Sequence, residues 1–268
     1  MRMATTHVDL HGERLSLEAL NSLANQINER YLPINVNHDI RQPTVGRLVS
    51  AEVVKMADGE YAVDGIGELF EPTDTLASLT GDGRKMNVAV DDVETFSVYY
   101  DRAFRNEDGK ELLQELEELS GQKPNPTIKK AFEPISILLI AFGIFTLGEI
   151  GKGFFSKFGE DLYKKLKESL AKYYEKKKST DQILDFRFSL KKDNRFFEVH
   201  VLTSSPTKQT ISDFFNEGIN KIDKTLDFLQ SELAKDVALV VLEYKDNEIT
   251  LTYSVRSDCV PLFFKGSE

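Results

Sequence analysis

The chain is poor in cysteine, in histidine and in net positive charge, and each shortage excludes something. A single cysteine, Cys259, among 268 residues rules out an internal disulfide and any zinc site of the multi-cysteine kind. It fits a reducing compartment. No cluster of His, Asp and Glu has the spacing of a metal site, and Gly81-Asp82-Gly83-Arg84 is too short for a phosphate-binding loop. No cofactor is therefore expected. The net charge of −10, from 34 basic and 44 acidic residues, argues against a protein built mainly for nucleic-acid phosphates. Residues 1–10 are polar and do not read as a signal peptide, so the expected location is cytoplasmic. No internal repeat is apparent.

What the chain does hold is an apolar fraction of 41%, enough for ordinary globular cores, and a length that suits two domains. Its charge is uneven. Residues 1–121 carry 11 basic against 23 acidic side chains, residues 128–178 carry 11 against 6, and residues 179–268 carry 11 against 15. An acidic head, a basic middle and a mildly acidic tail suggest three segments in different surroundings.

The first segment reads as a compact α+β domain over residues 1–121. A short strand is expected at Thr6–Leu10. Ser16 is placed to cap a helix in which Leu17, Leu20, Leu23, Ala24 and Ile27 recur at helical spacing. Pro33 stops it, and Ile34 and Val36 open a strand. Val45–Lys55 and Tyr61–Phe70 flank Asp58-Gly59, a hairpin signal. Further strands are expected at Met86–Val90 and Thr95–Tyr100, then an acidic helix at 109–120 with Leu112, Leu113, Leu116 and Leu119 inward. Residues 122–127 hold two prolines just after Gly121 and read as a linker.

Residues 128–178 read as an apolar and then basic amphipathic helical segment. Pro134–Gly148 is a run of 15 residues without charge, short of the roughly 20 that a spanning helix needs. Three readings stay open: a buried hairpin or core helix, an interfacial helix held by apolar side chains and lysines, and a span reaching Phe155. Beyond Glu149, Phe154, Phe158, Leu162, Leu166 and Leu170 fall on one helical face. Self-association or a membrane surface at 134–170 is the partner expectation. Residues 179–268 read as a ββαββ module: a small antiparallel sheet packed by one long helix over about 211–233. Nothing in it has a catalytic signature.

Histidine is the side chain whose ordinary pKa lets it exchange protons near neutrality. His38 therefore stands out, at the end of an extended run in Asn35-Val36-Asn37-His38-Asp39. Ser97 stands out as a hydroxyl in the middle of an apolar strand, Glu94-Thr95-Phe96-Ser97-Val98-Tyr99. On adjacent strands such a pair can act as base and nucleophile. Ser78 is a reserve nucleophile.

The stretches Asp9-Leu10-His11-Gly12-Glu13-Arg14-Leu15-Ser16, Val36-Asn37-His38-Asp39, Val45-Gly46-Arg47-Leu48-Val49 and Gly59-Glu60-Tyr61-Ala62-Val63 resemble the tailed-phage prohead serine proteases and their prophage relatives. That family shares its fold with the herpesvirus assemblins. The resemblance covers residues 6–105. It implies a small assemblin-like β-barrel or sheet domain with helices, His38 as general base and Ser97 as nucleophile. For the residue that orients the base, Glu52, Glu68, Glu94 and His11 all remain open.

Two functions follow as expectations. One is a serine endopeptidase that cleaves a protein substrate or itself. The other is a non-catalytic interaction protein, membrane-associated or self-assembling, that keeps only the protease-like fold.

Overall fold

The computed structural model describes residues 1–8, 12, 14–36, 39–70, 79–90, 93–126, 136–177, 182–192, 194–228 and 236–262. The chain is mixed α+β and divides into two compact units, Met1–Asn87 with Val255–Phe263, and Val88–Ser254.

In the first unit β1 (Arg2–Thr5), β2 (Leu32–Asn35), β3 (Thr44–Lys55) and β4 (Tyr61–Leu69) form a four-stranded sheet in the order β1-β4-β3-β2. Every neighbouring pair is antiparallel. The first strand lies at Arg2–Thr5, before the expected Thr6–Leu10, whose last two residues lie outside the described residues. Helix α1 (Leu17–Glu29) starts where Ser16 Oγ accepts the Ala19 amide at 3.1 Å. Its Leu20, Ala24 and Ile27 pack on Leu48, Ala51 and Val63 of the sheet. Asn28 ties helix to strand, donating to Ala51 O at 2.8 Å and accepting from Ala51 N at 2.9 Å. Asp58-Gly59 turns the β3–β4 hairpin, with Gly59 at φ +91°, a conformation that glycine adopts at little cost.

The second unit starts at Val88, so the boundary does not fall at residues 122–127. That segment is instead part of the second unit: Gly121 ends α2 (Glu107–Ser120) in the left-handed conformation, and Asn125-Pro126 pairs as β6 with Tyr99-Tyr100 of β5 (Phe96–Tyr100). Met86–Val90 forms no strand.

The remaining elements are β7 (Ser136–Thr146), α3 (Ile150–Lys176), β8 (Gln182–Lys192), β9 (Arg195–Ser204), α4 (Lys208–Asp213), a π-helical turn at Phe214–Gly218, α5 (Ile219–Phe228), β10 (Val237–Lys245) and β11 (Glu248–Arg256); a two-residue β12 (Pro261–Leu262) lies in the first unit. The strands of the second unit run β11-β10-β9-β8-β7-β5-β6. The ββαββ order of the C-terminal part is present, but not as a separate antiparallel sheet. β9 pairs parallel to β10, and β8 pairs parallel to β7.

The apolar run at 136–146 is thus a central strand and not the helix expected there. A strand inside a mixed sheet, covered on both faces, loses the alternation that marks a half-exposed strand and reads as continuous apolar sequence. Gly143 sits where the β7–β8 register slips between Phe142 and Ile144, a bulge that suits glycine. One face of the sheet meets the helices. Phe142, Phe186, Phe188, Val199, Val201, Val240 and Leu242 are buried there with Phe154, Phe158, Phe214 and Phe215. Phe186 and Phe214 stack at 4.4 Å between centroids, 4° from parallel. α2, α4 and α5 all pack against α3. Asp223 of α5 caps α3 by accepting the Ile150 and Gly151 amides at 3.1 and 2.8 Å.

Phe142, Phe154 and Phe158 are therefore consumed by the chain's own core. Among the described residues no helix is long and apolar enough to cross a membrane.

Candidate functional site

Side chains alternate between the two faces of a strand, so the residues between those core phenylalanines point the other way. Cross-strand register aligns Ser97 of β5 with Ala141 of β7, Arg187 of β8, His200 of β9 and Val241 of β10. The next row holds Tyr99, Leu139, Asp185 and Leu202, and on the other side Ser189 lies opposite Glu198. One face of the sheet is aromatic and the other carries a charged layer.

At its centre His200 is only 5% exposed and Asp185 1%. His200 Nδ1 lies 2.8 Å from Asp185 Oδ2, and its Nε2 lies 3.1 Å from Glu198 Oε2. With a carboxylate oxygen within hydrogen-bond reach of each ring nitrogen, the site favours the doubly protonated imidazolium. Burial alone would push its pKa down. Asp185 and then Glu198 outweigh burial and hold it up at about 9. Glu198 shows the mirror effect: burial pushes it up, while the hydrogen bond from His200 leads the interactions that leave it lowered. Arg187 places a guanidinium nitrogen 4.0 Å from Glu198 and its centre 5.3 Å from the Tyr99 ring centroid.

This arrangement holds charge well and transfers protons poorly. A general base needs a free nitrogen lone pair within reach of its target, and His200 has none. The cluster is an internally neutral lattice: two carboxylates, one imidazolium and one guanidinium. Among the described residues no group of three or more His, Cys, Asp and Glu is arranged to hold a metal ion.

Ser97 is on this face, 5% exposed, and donates from Oγ to Gln122 Oε1 at 3.1 Å. It belongs to the second unit. His38, its expected base, lies outside the described residues, as do His11 and Ser78. Asp39, the partner in the His-Asp pair, is buried and bound by Arg41, with nitrogen–oxygen distances of 2.9 and 2.8 Å. Of the acids left open for orienting the base, Glu52 and Glu94 are exposed and Glu68 pairs with Arg47.

The Gly46-Arg47 pair has its own structural account in the first unit. A Cβ on residue 46 would run into the Glu68 carbonyl. Arg47, 3% exposed, donates to Glu68 Oε2 at 2.8 Å and to Asp258 O at 2.9 Å. Its guanidinium sits 4.4 Å from the Tyr31 ring centroid, and that of Arg84 sits 4.7 Å from the same ring. Tyr31 OH donates to Asp82 at 2.7 Å. Hydrogen bonds from Arg84 and then Tyr31 hold the Asp82 carboxyl far below its usual range. Thr44 Oγ1 donates to Cys259 O at 2.8 Å. Burial, with Asp258 beside it, pushes the Cys259 thiol up to about 12, so it is not a thiolate nucleophile at neutral pH.

The layer around His200 escaped sequence reasoning because its residues come from two strands and have no motif spacing. A weaker signal was there. Asp185, Arg187 and Ser189, then Glu198 and His200, alternate with Phe186, Phe188, Val199 and Val201. Charge at every second position of an otherwise apolar strand marks a polar face.

In comparisons with known proteins, no family model, no curated protein and no solved structure matches the chain.

Proposed function

We propose that the protein works by binding another protein and not by catalysis. The observation that carries this reading is that the two proton-handling side chains described on this sheet face are both committed to other partners. His200 has both nitrogens committed to carboxylates, and the Ser97 hydroxyl is shielded and given to Gln122. Neither is free to act as half of a nucleophile–base pair.

The prohead-protease resemblance then concerns ancestry of the β-structure. Its Val45–Val49 and Gly59–Val63 stretches fall on and beside the adjacent strands β3 and β4, which supports an assemblin-like origin for that sheet. Its span of 6–105 crosses the boundary at Asn87. Fold without the chemistry is a common outcome. Exposed apolar side chains on β4, Ile66 at 64% and Leu69 at 70%, support a protein partner.

A fluorophosphonate probe tests the reading directly. The purified chain is expected to take up no label at Ser97 and to keep its intact mass on storage, as do its Ser97→Ala and His38→Ala variants. Labelling at Ser97 that His38→Ala abolishes would establish the serine-protease reading instead.

A further inference from the structure

Ser189 and Glu198 stand directly opposite each other on β8 and β9, and both reach the same residue. Glu198 Oε1 accepts the Ala89 amide proton, and Ser189 Oγ donates to the Ala89 carbonyl at 3.2 Å. An acceptor and a donor side by side, satisfying both backbone groups of one residue, do what a neighbouring strand would do. Yet residues 88–90 belong to no strand of the sheet. Val88 and Ala89 are half-buried, and Val90 is 39% exposed.

The clip is built independently of what it holds. Glu198 presents one oxygen to Ala89 while its other oxygen is fixed by His200, which is fixed in turn by Asp185. A carboxylate oriented in this way is preorganised to accept an amide proton. Nothing in the pair reads a side chain. It reads a backbone N–H and C=O.

We infer that Val88–Val90 is a displaceable strap lying in a clip for extended protein backbone, and that a partner segment binds by replacing it. The inference rests on the protein-binding reading above and gives that reading a site. The strap is then an internal competitor: it satisfies Glu198 and Ser189 when no partner is present, so that a buried carboxylate oxygen is not left unpaired. The partner is a stretch of extended chain with a free amide proton at the clipped position.

Hydrogen exchange on the full chain tests the strap. The Ala89 amide is expected to exchange at least about an order of magnitude faster than the ladder amides of Val199 and Val201, because a strap opens locally while a central strand opens only with the fold. Equal protection at all three would overturn the inference. A second measurement titrates a dye-labelled peptide of residues 86–90 into the full chain carrying Ala89→Pro, which removes the clipped N–H. Saturable binding, weakened at least about tenfold by adding Ser189→Ala, is the expected result. No saturable binding to a cooperatively folded Ala89→Pro chain would sink the proposal. Neither readout involves the Ser97 hydroxyl, so failure here leaves the probe-labelling result to judge catalysis on its own.

Discussion

Asp185 Oδ2 and His200 Nδ1 lie 2.8 Å apart on neighbouring strands, both almost wholly out of water. Two buried charges this close attract strongly, but each has also lost its hydration, and the sum depends on every remaining polar group nearby. Here the second carboxylate, Glu198, completes the partners of the imidazolium.

The pH dependence follows from the direction of these shifts. The His200 pKa is raised from its ordinary 6.5 to about 9. Its stabilising contribution is therefore full below about 6.5 and is lost as pH rises through 9. Glu198 is lowered from its ordinary 4.5, so its contribution is full above that value and is lost as pH falls below it. Denaturant unfolding of the full chain is expected to show lower stability at pH 10 than at pH 7. The His200 share of that loss is on the order of 2–3 kcal/mol. His200→Gln should remove that share. A variant with the same pH 7 to pH 10 difference as the parent would show that the imidazolium does not contribute it.

How much of this was legible depends on the range of the interactions. α1 could be read because its start is local: Ser16 caps it and Leu20, Ala24 and Ile27 mark its buried face. The β3–β4 hairpin was likewise announced by Asp58-Gly59. Residues 136–146 misled because sequence shows only that they avoid water. That Leu138, Ile140 and Phe142 lie between β5 and β8 depends on strands some 40 residues away on either side, with nothing local to state it. The parallel pairing of β7 with β8 was hidden for the same reason. His200 was passed over because its partners are a diagonal neighbour across the strand pair and a residue two positions back, a geometry that only the register creates.

That burial sets the expected behaviour of Phe142. Its ring lies 4.7 Å from Phe154, 5.1 Å from Phe188 and 5.5 Å from Phe158. Phe142→Ala is expected to cost about 3–5 kcal/mol, the usual range for truncating a buried phenylalanine. It should appear as a shifted denaturation midpoint with little change in slope. A surface that met lipid or a second copy would respond differently, with the midpoint nearly unmoved and the change confined to fractionation or molecular mass.

Arg47 offers the sharpest test of the Gly-Arg motif, because a structural role and a catalytic one make different demands on it. The structural role uses shape as well as charge. One guanidinium donates to Glu68, donates to the Asp258 carbonyl, and sits over the Tyr31 ring. A lysine keeps the charge but has no planar fork, so it cannot make the two hydrogen bonds and the ring contact together. Arg47→Lys is therefore expected to destabilise the chain by about 2–3 kcal/mol, since it leaves the buried Asp258 carbonyl without its donor. Arg84→Lys should cost less, because Arg84 is more exposed and its partner Asp82 is half in water. Thermal melts of the two variants beside the parent would check the order. An Arg47→Lys chain as stable as the parent would mean that the motif serves something other than holding the Asp258 turn against β3.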